Sequence, residues 1–439
     1  MNVVQLGRRL LLVSVAASVL AACGGGADDI ASPGEGVLVG GGGNGGGTTT
    51  PPPPTTGPAA SCPTGTIDRG VNPVVNRRNC GLPARVTTAL SLPKVAGLFY
   101  SIDGRVDVGT DVGGDGAAAG GQSATLSIDP GVVVIGQSQA SFLVVNRGSQ
   151  INAVGSATAP IVFTSLDNLE GRATDTSSNQ WGGIQLLGRA PISNCLSAVP
   201  GGSAQCQQQA EGTGSPALYG GNLPNDNSGQ LRFVQIRFTG FSASPNAELQ
   251  GLTTGGVGAG TRIENVHIHN SGDVQFLIGI QRPQTLGTNG DTMIEADSNP
   301  EVTGADDFTP RQFTRLSNFT FIQTRTGTRA IHLRGGTDYA LLNGVVVSPS
   351  ACLDVDQATT VQAADPAKDE AGPPIIRSVL FACTPFADAD ADTFEDAALN
   401  AAGNTNNQTG FTSTLSSLFI NGANETAATP FNATLLNTS

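Results

Sequence analysis

Lysine is almost missing from the 439 residues: Lys94 and Lys368 are the only two, and the formal net charge is −13. So acidic a chain repels phosphate backbones, which argues against nucleic acid as a partner. Histidine occurs three times, at His267, His269 and His332, and there is no Cys-x-x-Cys pair or Cys/His cluster, which argues against a zinc centre. Aromatic residues make up 5% and charged residues 13%, a mix that disfavours a helical protein and suits short strands joined by tight turns. The apolar stretch from Leu10 to Val19 is shorter than the roughly 20 residues a membrane-spanning helix needs. No Gly-x-Ser-x-Gly elbow or Ser/His/Asp order can be argued. The run Gly255 to Gly260 lacks the Lys-Ser/Thr ending of a phosphate loop and precedes a strand, so it reads as a turn.

Glycine is abundant instead, with 59 residues, and there are seven cysteines. Six cysteines can pair; the seventh needs another use. Arg8 and Arg9, the apolar stretch after them and the small residues before Cys23 give residues 1–22 the three-part layout of an export signal. Leu20-Ala21-Ala22-Cys23 resembles a bacterial lipobox, which implies that Cys23 is lipidated and becomes the new first residue. The expected partner is then a membrane, reached through several acyl chains, which anchor stably where one would not. Gly24 in place of Asp after the cysteine suggests the outer membrane, with the body facing the periplasm or the cell surface. Residues 23–61, rich in Gly, Thr and Pro, cannot bury a core and read as a tether spanning on the order of 35 Å. The folded body is expected over 62–439. Its cysteines fall in near pairs, Cys62 with Cys80, Cys195 with Cys206 and Cys352 with Cys383, which in an exported chain read as local disulfides, although spacing leaves the other connectivities open.

The body repeats a degenerate phrase with apolar residues at its first, fourth and sixth positions. Copies begin at Trp181, Leu231, Ile263, Leu316, Leu342, Ile376 and Leu415, each ending in an alternating pair typical of a strand. "LSIDPGVVVIG" from Leu126 and "SFLVVNRGSQINAVG" from Ser141 belong to the same series. One such unit cannot bury its apolar face alone, so the units stack, and a parallel β-helix is the expected architecture. A β-sandwich would show more even hairpin spacing; Asp103-Gly104 and Asn343-Gly344 are isolated turn candidates. A helix is expected at about 387–403, where carboxylates lead and Gly403 follows.

The segments "FLVVNRGSQINAVGSATAPIVFTS", "QWGGIQLLGRAPI", "EGTGSPALYGGNLPNDNSGQLRFVQIRFTGF" and "AELQGLTTGGVGAGTRIENVHIHNSGDVQF" resemble large exported lipoproteins of Gram-negative bacteria. The resemblance runs from about Cys62 to Gly272, and "FINGANET" near Ile420 also fits. It implies a mainly β body, a right-handed parallel β-helix of the pectin-lyase-like type, and lends no activity. Where those proteins carry an acidic Asp-Asp-Gly-x-Glu run, this chain has Gly272-Asp273-Val274-Gln275.

The candidate binding residues are carboxylates of the middle rungs, Asp226, Glu248, Asp273, Asp291, Glu295 and Asp297, and the histidine pair His267 and His269. Stacked rungs could gather the acids into a Ca²⁺ site or a glycan-cleaving pair, or leave them as solvated turns. The histidines alternate on one strand, opposite Val266 and Ile268, either as side-by-side metal ligands or as an exposed polar face. Asp103, Asp107, Asp111 and Asp115 recur every four residues and raise a weak loop Ca²⁺ reading. Arg262, Arg325 and Arg329 are available as bases, with no motif tying them to acids. Trp181 reads as packing. No catalytic residue can be named and no cofactor beyond Ca²⁺ is implied, so the expected role is a rigid module binding glycan or envelope protein. A polysaccharide lyase or glycoside hydrolase of the same fold is the alternative.

Overall fold

The spacing of the repeated phrase is odd between its first and fourth positions, yet both point inward, and its third residue explains why. In the computed structural model, which describes residues 57–413 apart from 175–176, 215, 243–247, 273–278, 282–291, 299–308, 324–326, 391 and 411, the phrase lies on long parallel strands. These are Gly229–Arg237, Arg262–His269, Arg315–Gln323, Ala340–Ser348 and Ile375–Cys383. Each carries one left-handed residue, the third of its phrase once the copy read at Leu342 is started at Leu341: Phe233 at φ 50°, Asn265 at 56°, Asn318 at 56°, Asn343 at 54° and Ser378 at 55°. One such residue bends the strand and resets its alternation. Leu231 then opposes Ile263, Val234 opposes Val266 and Ile236 opposes Ile268, all facing the core.

Two copies of the phrase are placed differently from the expectation. In the copy read at Leu342 the inward residues are Leu341, Gly344 and Val346, which oppose Leu316, Phe319 and Phe321 on one rung and Ile376, Val379 and Phe381 on the next. The left-handed Asn343 fixes that register. The copy at Trp181 belongs to another ladder, because strand Ile184–Leu187 pairs with Phe142–Val145 and Leu252–Gly255. Trp181 is packing, as expected: it is fully buried, and its indole N–H donates to the Arg237 carbonyl at 2.7 Å. The copy at Leu415 lies outside the described residues.

Nearer the amino end the two halves of the phrase are separate strands. Ala89–Leu92, Thr125–Ile128 and Gln150–Val154 form one ladder, and Arg77–Gly81, Leu98–Ile102, Val133–Gly136 and Ile161–Ser165 another. Both ladders meet on Gly229–Arg237, one on each side of Phe233. A third ladder runs through Arg85–Val86, Arg105–Val108, Phe142–Val145, Ile184–Leu187 and Leu252–Gly255. Each turn of the chain visits these ladders in parallel, which is the β-helix expected from the stacking argument. Asp103-Gly104 turns a corner between two ladders, and Asn343-Gly344 lies inside a strand. Antiparallel strand pairing among the described residues is confined to Ile67–Asn72 with Arg77–Gly81 and Gln208–Gln209 with Leu218–Tyr219.

The described residues lie within one compact unit, Ser32–Ser439; Cys23 and the stretch read from the sequence as an export signal lie outside them. Ala59 is already packed on the core, and its N–H donates to the Gly97 carbonyl at 3.0 Å. The three disulfides are those of the local pairing, Cys62–Cys80, Cys195–Cys206 and Cys352–Cys383. No helix among the described residues is long and apolar enough to cross a membrane.

Towards the carboxyl end a further ladder stacks Ile294–Asp297, Arg329–Arg334 and Ala351–Val355. The chain after Phe386 extends it: Ala387 bridges Leu353, and the Asp388 N–H donates to the Leu353 carbonyl at 3.1 Å. This pairing corrects the helix expected at 387–403, of which only Phe394–Leu399 is helical apart from single turns. The acidic run competes with a helix by bonding to itself, Asp390 accepting from the Asp392 N–H at 3.4 Å and Asp392 from the Phe394 N–H at 3.0 Å.

Candidate functional site

On this carboxyl-end ladder the side chains that point away from the core repeat a two-residue spacing from rung to rung. Glu295 opposes His332 and His332 opposes Asp354, while Asp297 opposes Arg334. Asp356 follows on the next rung, its N–H donating to the Leu333 carbonyl at 3.0 Å. Rungs stand about 4.8 Å apart, so the columns bring together groups distant in sequence. Arg334 meets Glu295 and Asp297, each at 2.7 Å. Arg329 meets Asp354 at 2.8 Å and Asp388 at 3.8 Å, and donates to Nδ1 of His332 at 3.0 Å. That donation requires a lone pair on Nδ1, so the ring proton sits on Nε2 and is donated to Asp356 at 2.9 Å.

Burial sets the electrostatics of this face. It pushes Asp354 up to about 7, against the pull of Arg329 and with the negative charges of Asp356, Asp388 and Glu395 adding to it. Burial also raises Glu395 and Asp392, with Asp390 pushing both further, and lowers His332 despite its bond to Asp356. Ligand-type atoms converge here in overlapping groups, each within 4.8 Å: His332, Asp354 and Asp356; Asp354, Asp390 and Glu395; Asp356, Asp390 and Asp392. The chemistry on offer is a half-buried grid of carboxylates interleaved with two guanidinium groups and one imidazole N–H.

The residues singled out from the sequence are scattered by comparison. Asp226 is buried and clamps a turn, accepting from the Arg189 backbone N–H at 2.8 Å and from its side chain at 3.0 Å. Glu248 accepts from the Ser242 hydroxyl at 3.3 Å. Glu295 and Asp297 belong to the grid, whereas Asp273 and Asp291 lie outside the described residues. His267 and His269 do stand side by side, with ring centroids 6.2 Å apart, but they are buried rather than on an exposed face. Burial, with Arg237 nearby, holds His267 down at about 3, so it stays neutral. Among the described residues neither histidine joins a group of three metal-ligating side chains. Asp103, Asp107 and Asp111 do not converge but pair separately, with Arg69, Arg105 and Arg147. Gly255 ends strand Leu252–Gly255, and the chain from Gly256 to Gly260 turns, with Gly258 and Gly260 against Asp226.

Sequence reasoning missed His332, Asp354, Asp356, Asp388, Asp390, Asp392 and Glu395, and it left Arg329 without an acid. The signal was there as a motif: Glu295-x-Asp297, His332-x-Arg334, Asp354-x-Asp356 and Asp388-x-Asp390 are ionic pairs at strand spacing on successive rungs. Arg262 pairs with Glu264 at 2.6 Å, and Arg325 lies outside the described residues.

The chain matches none of the curated proteins and none of the solved structures with which it was compared. Residues 115–278 match the family model described as a pectate-lyase like beta helix domain, in keeping with the parallel ladders that run through that segment.

Proposed function

We propose that this chain is a lipid-tethered module of the outer membrane whose β-helix body binds an extended glycan on its carboxyl-end ionic face. The observation that supports this most is the grid itself, in which Arg334 and the His332 N–H alternate with Glu295, Asp297 and Asp356. Sugar hydroxyls both donate and accept, so alternating donors and acceptors at rung spacing suit them. A protein partner would want apolar anchors at the centre of the patch. Among the described residues the exposed large apolar side chains, Ile67, Val71, Val74, Val95, Leu196, Leu223 and Phe313, lie on none of this ladder's strands.

The test is binding of the purified full-length protein to arrayed uronates, xylans and host glycans, with product analysis alongside. Retention of a glycan, weakened at least tenfold by Asp356→Asn or Arg334→Gln with no unsaturated or reducing ends released, supports the reading. Turnover of any polymer replaces it with the lyase or hydrolase alternative. The tether is tested separately: Cys23→Ser abolishes acyl labelling and releases or stalls the precursor. Normal processing and membrane fractionation of that variant would make the anchor assignment wrong.

A further inference from the structure

We infer that Asp354, Asp390 and Glu395 form a Ca²⁺ site that fastens the loop after Phe386 and the helix Phe394–Leu399 to the edge of the carboxyl-end ladder. One carboxylate oxygen from each lies within 4.8 Å of the others, about twice a Ca–O distance of roughly 2.4 Å, so the three fit around a single ion. Asp392 and Asp356, grouped with Asp390, flank this position.

A cluster of acids alone would not point to an ion; Asp354 does. It is only 4% exposed, and its Oδ2 is taken by Arg329 at 2.8 Å. Its Oδ1 is buried with no hydrogen-bond partner among the described residues. A buried carboxylate oxygen left bare is costly, and coordination to a cation removes the cost. Glu395 is also buried, and its Oε1 accepts the Val355 N–H at 2.8 Å, which holds the carboxylate against the strand. No ion pair ties Asp390, Asp392 or Glu395 to a lysine or arginine among the described residues, whereas Asp354 and Asp388 pair with Arg329.

The donor set selects the ion. All three ligands are hard oxygens, which suits Ca²⁺ and leaves its remaining positions to water and neighbouring oxygens. His332 is not a ligand, because Nδ1 accepts from Arg329 and the Nε2 proton goes to Asp356. Zn²⁺ therefore gains no nitrogen here.

This inference does not depend on what the ionic face binds. The test titrates Ca²⁺ alone into the chelator-treated full-length protein by calorimetry and follows thermal unfolding. The expected result is one saturable Ca²⁺ site with a higher unfolding temperature, reversed by chelator, and weaker binding of Mg²⁺. Asp390 is exposed, so Asp390→Asn folds and weakens Ca²⁺ at least tenfold, while Asp396→Asn, an exposed acid on helix Phe394–Leu399 outside the group, leaves it unchanged. The inference is overturned by no saturable heat and no thermal shift at millimolar Ca²⁺. Binding that survives Asp390→Asn, or that falls equally in Asp396→Asn, overturns it as well.

Discussion

Asp338 and Glu370 share a hydrogen bond, and both are buried. Arg311 meets Glu370 at 2.9 Å, and Glu370 also accepts from Gln362 at 2.7 Å and the Gly372 N–H at 2.8 Å. Burial pushes Asp338 up to about 8, with the bond to Glu370 and its charge adding to the shift. The folded protein therefore keeps a proton that the unfolded chain, with an ordinary carboxyl near 3.8, gives up. Its contribution is complete below about pH 4, falls as pH rises through the window to about 8, and changes no further above it. Thermal unfolding across this window should show a declining midpoint, and Asp338→Asn, which keeps a donor for Glu370, should flatten the decline. An unchanged slope in that variant would mean another group carries the proton. Arg311→Met leaves Glu370 buried without its counter-charge and should cost about 3–5 kcal/mol in chemical denaturation. None of this was legible in the sequence: Asp338 follows two glycines and a threonine and reads as a turn, and only the stacking of rungs brings Glu370 to it.

Within a rung, the phrase with apolar first, fourth and sixth positions carried the fold, because each left-handed third residue leaves a trace in the spacing. Where the apolar pattern was locally ambiguous it failed by one residue. Leu341 and Leu342 are both apolar, and the deciding residue was Asn343, whose short side chain tolerates the left-handed region. Asn343→Gly should therefore be nearly neutral, whereas Asn343→Val should cost about 1–3 kcal/mol, read as a lowered denaturation midpoint. Gly344 carries the complementary constraint, since a Cβ there would sit 2.2 Å from the Phe319 ring. Gly344→Ala should cost about 1–3 kcal/mol by overpacking. Combining it with Phe319→Leu should cost less than the two single changes summed, because the shorter side chain vacates the same space; simple additivity would place the strain elsewhere. The candidate site was illegible for a related reason. Searching for one carboxylate cluster in the middle rungs overlooked pairs at strand spacing on separate rungs, and the expected helix absorbed Asp388, Asp390 and Asp392, which instead extend and flank a ladder.

At the scale of the whole body, the apolar core of the described residues falls into two large clusters, one from Cys80 to Ile268 and one from Met293 to Ala398. A solenoid's stability is close to a sum over rungs and their neighbours, so the clusters need not melt together. Two of the three disulfides are divided between them: Cys80 lies in the first cluster, Cys352 and Cys383 in the second. The only tryptophan, Trp181, is buried in the first. Its fluorescence therefore reports the amino-end core, whereas circular dichroism reports both. Replacing Cys352 and Cys383 with alanine reopens a loop of sequence separation 31, worth about 3–4 kcal/mol in the chain-entropy model. The double variant should lower the transition seen by circular dichroism and leave the Trp181 transition where it was. Removing Cys62–Cys80 should do the reverse, moving the Trp181 signal. If each removal shifts both signals by the same amount, the rungs unfold as one cooperative block and the nearest-neighbour description does not hold for this chain.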